Sequence, residues 1–145
     1  MNNNEINFRT PRTVAGTVME IIVGILVLVM WVFIVYFSQG AEADTVKGLI
    51  FHGLLGTILP FLMMVACYFP KSFNIPKRHP RAEHYILSIQ LVRLCCIVIM
   101  PVLIAETWGM GKPANMETVE GVQLVFGCII ILIFIYYMVR ILLIK

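Results

Sequence analysis

Arg93 poses the first chemical question, because a permanent cation stands here among apolar residues. Only twelve uncharged residues separate it from Glu106, roughly 18 Å of helix at about 1.5 Å per residue. A bilayer's hydrocarbon core is about 30 Å thick, so a helix crossing it here carries Arg93 inside, roughly 10 Å from the nearer boundary. A charge at that depth costs at least about 2.5 kcal/mol unless it is paired or its long side chain reaches the interface. Glu20 is the candidate partner. Counted back from Ser38, it lies about two helical turns shallower than Arg93. Two readings follow. Glu20 and Arg93 form an intramembrane ion pair that staples two spans, or Glu20 is a carboxylate at the mouth of an apolar bundle that binds a proton or a cation. No second acidic residue lies inside a span to continue a relay. Tyr136 and Tyr137 come out at a similar depth and are expected to bond within the same cluster.

His52 lies one turn into the second apolar run, beside Gly53 and Gly56, where small residues allow helices to approach closely. A lone histidine there reads as an interfacial anchor. With Glu42 and Asp44 it forms a candidate ligand-contact set on the acidic outer side, although a metal would need more donors. His79 and His84 flank Arg81 and Glu83 across Pro80 and are expected to be solvated. Cys67, Cys95, Cys96 and Cys128 all fall in apolar runs, which suits packing or lipid-facing thiols and not a disulfide framework. No nucleophile–base–orienter set, phosphate loop, zinc signature or nucleic-acid motif occurs. An enzyme, a catalytic residue, a cofactor, a bound metal and a nucleic-acid partner are therefore all unexpected.

The elements that must position these residues are membrane spans. The 145 residues are 60% hydrophobic and 13% charged, with a mean hydropathy of +0.92. A soluble domain has about 45–50% apolar and about 25% charged residues. Four runs, at about 18–37, 48–69, 86–105 and 122–141, are each long enough to cross a bilayer. The fold expected is an all-α integral membrane bundle of four transmembrane helices in a single domain over 1–145. The first run reads as a retained span, too long for a signal peptide's apolar region. Pro60 and Pro101 are expected to kink the second and third spans.

Basic residues set the orientation. Arg9 and Arg12, the middle-loop Lys71, Lys77, Arg78 and Arg81, and the terminal Arg140 and Lys145 fall on one side, against Lys47 and Lys112 on the other. Eight against two predicts cytoplasmic termini and a cytoplasmic middle loop, in which Pro70, Pro76 and Pro80 preclude a continuous helix. The cations suit contact with anionic headgroups. Trp108 stands where an interfacial belt residue belongs.

Three stretches, in order, carry a family resemblance. Met19-Glu-Ile-Ile-Val-Gly with the run through Trp31 is the first. Glu42-Ala-Asp44 with Lys47 is the second. Tyr68-Phe-Pro-Lys-Ser-Phe-Asn-Ile-Pro76, then Tyr85 and Gln90-Leu-Val-Arg93-Leu, is the third. Together they resemble a bacterial membrane-domain family of unknown function, which also forms the amino-terminal part of the sporulation-delaying-protein immunity protein. That family's Pro-x-His-Phe before the outer Gly-Glu-x-Asp is replaced here by Ile34-Val-Tyr-Phe-Ser-Gln-Gly-Ala, and the middle loop is shorter. The resemblance implies a multi-pass protein of the bacterial cell membrane, the inner one in a Gram-negative cell.

A non-enzymatic role in immunity to, or sensing of, an extracytoplasmic ligand such as a cationic peptide is the leading expectation. The alternatives are a small proton-coupled exporter working as a dimer, with Glu20 as its coupling carboxylate, and an accessory subunit of a larger membrane complex. The bilayer is the one partner common to all three, and an oligomer is compatible with each. For orientation, a cysteine replacing Lys77 in intact cells is expected to resist a membrane-impermeant thiol reagent, whereas one replacing Glu42 reacts; labelling of the first from outside would reverse the topology.

Overall fold

Thr13 starts the first helix by accepting the Gly16 N–H on its Oγ1 at 3.1 Å, which satisfies one of the amide donors that a helix N-terminus leaves open. From there α1 runs over Val14–Ser38, α2 over Ala43–Ala66, α3 over Ala82–Gly111 and α4 over Met116–Leu143. The computed structural model describes residues 13–69, 73, 75 and 81–144. Arg9, Arg12, Pro70, Lys71, Pro76, Lys77, Arg78, His79, Pro80 and Lys145 lie outside the described residues, so the expectations for the basic middle connection and both tails rest on sequence.

Each helix is long and apolar enough to cross a membrane, and the chain is an all-α four-helix membrane bundle. The helices overrun the expected spans, most of all α3, whose 30 residues extend roughly 45 Å. The second span is the exception: α2 stops at Ala66 and residues 67–69 leave it in a turn. Both α2 and α3 run on through their prolines, Pro60 and Pro101.

Gly40 makes the first reversal possible. Its φ of +81° lies in the left-handed region that side chains disfavour, so the chain turns between Ser38 and Ala43 without strain. At the same end of the bundle a 3-10 turn, Pro113–Asn115, links α3 to α4, and Gly111 packs against Phe37 there. At the start of α3 the Arg81 N–H donates to His84 Nδ1 at 3.0 Å, a side chain reaching back to cap the helix. That bond and the surrounding packing leave His84 only 2% exposed, contrary to its expected solvation.

Contacts fix the topology. Trp31 Nε1 donates to Thr57 Oγ1 at 2.9 Å, and Ile34 packs at Gly53, so α1 and α2 are antiparallel. His52 meets Leu103 while Cys67 lies by Ile89, which makes α2 and α3 antiparallel as well. Gln123 on Glu106 and Val119 at Gly109 set α4 antiparallel to α3. Helix α3 packs against all three others and is the axis of the bundle. The buried core, with Val23, Met30, Ile34, Leu49, Met64, Cys96 and Met100, comes from α1, α2 and α3. Helix α4 adds only Val119 and Ile141 as fully buried residues, joined by a half-buried stripe through Val122, Phe126, Ile130, Ile133 and Tyr137 at helical spacing. Between its polar ends, marked by exposed Glu117, Glu120 and Arg140, its remaining surface, such as Leu124 and Leu132, is apolar and exposed, as lipid as a solvent demands.

The glycines at the α1–α2 contact allow the close approach that the sequence predicts. A Cβ on Gly56 would sit 2.8 Å from Met30 Sδ, and one on Gly53 would sit 2.5 Å from Ile34 Cδ1 and 3.2 Å from the Trp31 ring. No hydrophobic gain drives helices together in lipid, so such contacts carry the association. Gly56→Leu is expected to lower the unfolding free energy by about 1–3 kcal/mol, measured by equilibrium denaturation in mixed micelles. Gly127→Ala, at a site with open space around the Cβ, is expected to be neutral or slightly stabilising.

Candidate functional site

Helices α1 and α3 run side by side in the same direction, so the first turns of α1 lie beside the lower half of α3. There Arg93 Nη2 donates to Glu20 Oε1 at 2.8 Å. The Arg93 side chain is 6% exposed and that of Glu20 27%. Tyr68, in the turn that follows α2, donates its hydroxyl to the same carboxylate, 2.7 Å from each oxygen. Three separate stretches of chain thus converge on one acid.

Gly16 explains how Arg93 reaches this shallower partner. The guanidinium lies directly over the Gly16 backbone, where any Cβ would collide with its Nη1 and Cζ. Arg93 therefore bends along α1 toward the helix ends, as a long cationic side chain does when its root is deep and its charge seeks a polar level. The depth difference of about two turns is absorbed by this reach. One polar atom stays unmatched: Arg93 Nε is buried without a hydrogen-bond partner among the described residues.

Tyr136 and Tyr137 do not join this cluster. Tyr136 is exposed, accepts from Arg140 Nη1 at 3.3 Å and packs edge-on against Tyr137. Depth alone placed them near Arg93; the rotation of α4 decides otherwise. Tyr68 is the residue that sequence reasoning missed. Its signal was available, since an antiparallel α1–α2 pair brings the end of α2 beside the start of α1.

His52 also lies elsewhere than expected. It is buried at 9% exposure, and its Nε2–H donates to the Leu103 carbonyl at 3.0 Å. Glu106 Oε2 stands 3.7 Å from the same nitrogen, and Glu106 Oε1 accepts from Gln123 Nε2 at 2.8 Å. His52, Glu106 and Gln123 form a second polar tie, joining α2, α3 and α4. Glu42 and Asp44 are not part of it. Both are exposed at the head of α2, where Asp44 pairs with Lys47 at 3.0 Å. The three ligand-contact candidates thus divide into a buried histidine and two surface carboxylates. Among the described residues no group of three or more His, Cys, Asp or Glu could hold a metal ion.

A groove of about 400 Å³ opens between α1 and α2 beside the first cluster. Its walls are apolar, with Val27, Pro60, Phe61 and Met64 among them, and Glu20 and Tyr68 stand at one end. A carboxylate facing such a groove can receive a hydrogen-bond donor or cation, but this one already holds an arginine.

Comparison with protein-family models, with curated proteins and with solved structures finds no match for this chain.

Removing Glu20 is expected to leave a charge enclosed without a counter-charge. Glu20→Gln should cost about 3 kcal/mol of unfolding free energy, and Tyr68→Phe, which removes one donor, about 1 kcal/mol. Denaturation in mixed micelles measures both, and the reverse order of severity would assign the cluster's stability to the tyrosine.

Proposed function

We propose that this membrane protein is a non-enzymatic receptor or immunity-type protein that meets a cationic extracytoplasmic ligand, such as a peptide, through Glu42 and Asp44. The proposal includes the orientation read from the basic residues, with termini and middle connection in the cytoplasm, and kinship with the bacterial family of the sporulation-delaying-protein immunity protein. One observation carries it. The acidic groups within the bundle are engaged internally, Glu20 by Arg93 and Tyr68 and Glu106 by Gln123, whereas the Asp44 side chain is 93% exposed. Its bond to Lys47 is an exposed i,i+3 pair, worth about 0–1 kcal/mol, which a ligand cation can replace. Carboxylates at the head of α2 are further favoured by the positive end of that helix.

A second reading, a proton-coupled exporter working as a dimer, is favoured by the α1–α2 groove with Glu20 at its end. Arg93 weighs against it, because the coupling acid would have to release a partner 2.8 Å away in every cycle.

Binding of a fluorescent polycationic peptide to the protein in neutral-lipid nanodiscs separates the two. The receptor reading expects the double variant Glu42→Gln/Asp44→Asn to weaken binding roughly tenfold, with affinity falling as salt rises from about 0.1 M to about 1 M. The exporter reading expects that variant to be silent. It also expects efflux of a lipophilic cation that stops with Glu20→Gln or on collapse of the proton gradient.

A further inference from the structure

At the end of the bundle where α3 begins and α4 finishes, Glu83, Gln90 and Arg140 line one recess of about 350 Å³, with Ile86, Leu87 and Ile144. All three polar residues are exposed, and none takes part in the two polar ties. Glu83 and Arg140 carry opposite charges, yet no ion pair joins them. Arg140 is braced from its own helix, donating to Tyr136 hydroxyl at 3.3 Å with its guanidinium carbon 5.8 Å from that ring's centre. That bracing leaves other N–H donors of its planar fork unused. Gln90 presents an amide on the flank of an otherwise apolar span, with no hydrogen-bond partner among the described residues. An amide so placed in lipid is costly unless something outside the bundle satisfies it.

Each charge complements its own helix dipole, Glu83 in the first turn of α3 and Arg140 in the last turn of α4. That accounts for the two residues singly. It leaves unexplained why both face one recess unpaired, with an unsatisfied amide about 10 Å along α3 from Glu83.

We infer that this recess binds the headgroup of a zwitterionic phospholipid bearing a primary ammonium. The phosphate lies on Arg140, the ammonium donates to Glu83, and Gln90 bonds the ester region below. A guanidinium suits phosphate because its fork matches the oxygens, and a carboxylate suits an ammonium that keeps its N–H donors. The recess lies at the helix ends, the level that headgroups occupy, and exposed Ile86 and Leu142 offer apolar surface to the acyl chains. A trimethylammonium headgroup has no N–H to give Glu83, and an anionic headgroup meets that carboxylate as a like charge.

Native mass spectrometry of the full chain in mild detergent tests the site with phosphatidylethanolamine, phosphatidylcholine and phosphatidylglycerol of identical acyl chains. Wild type is expected to retain the ethanolamine lipid roughly tenfold better than the other two. Glu83→Gln is expected to erase its advantage over the choline lipid while both still bind. Arg140→Gln is expected to lower retention of all three, with Arg140→Lys recovering part. Equal retention of ethanolamine and choline lipids by wild type, or an ethanolamine preference that survives Glu83→Gln, overturns the inference. Both side chains are exposed, so the variants keep the fold.

Discussion

The bundle is organised by the need to enclose one arginine among apolar helices without leaving its charge alone. Arg93 sits on α3, the helix that touches all the others, and its side chain is almost wholly covered. A charge removed from water is tolerable only with a counter-charge and hydrogen bonds around it. The consequences spread outward. Helix α1 must run parallel to α3 so that Glu20 falls within 2.8 Å; Gly16 must lack a side chain so that the guanidinium can lie across α1; the chain must turn after Ala66 so that Tyr68 meets the same carboxylate.

The second tie follows the same logic toward the opposite end. His52, Glu106 and Gln123 join α2, α3 and α4, so the two clusters together link all four helices. Between them the packing is apolar and depends on shape. Met30 and Ile34 settle against Gly56 and Gly53, and Trp31 hydrogen-bonds to Thr57. In lipid, where burying apolar surface brings no gain, geometry and a few polar bonds between helices supply the specificity that a hydrophobic core gives a soluble protein. Helix α4 shows the minimum such a scheme requires: one stripe on α3 and an outer face given over to lipid.

Much of this was legible in the residues because the strongest constraints are local. Run length and hydropathy delimit the helices, and a lone arginine twelve residues short of the next charge implies a buried pair. What was not legible depends on helix rotation, which neither depth nor composition specifies. Tyr136 and Tyr68 both suit the level of Glu20, and only packing shows which one faces it. His84 reads as a loop histidine four residues after a proline, but its ring nitrogen caps α3 and carries it inside. His52 looked like a companion of Glu42 and Asp44 because they are neighbours in sequence. More than two helical turns separate His52 from both, and the true neighbour, Glu106, lies on another helix.

A double-mutant cycle on Glu20→Leu and Arg93→Met, read as unfolding free energy in mixed micelles, tests whether this pair holds the bundle together. Coupling above about 1.5 kcal/mol is expected, with the double variant less damaged than the sum of the single ones, because each single change strands a charge that the double change removes. Additivity to within about 0.5 kcal/mol would show the two residues acting independently and contradict the pairing on which the arrangement of α1 and α3 depends.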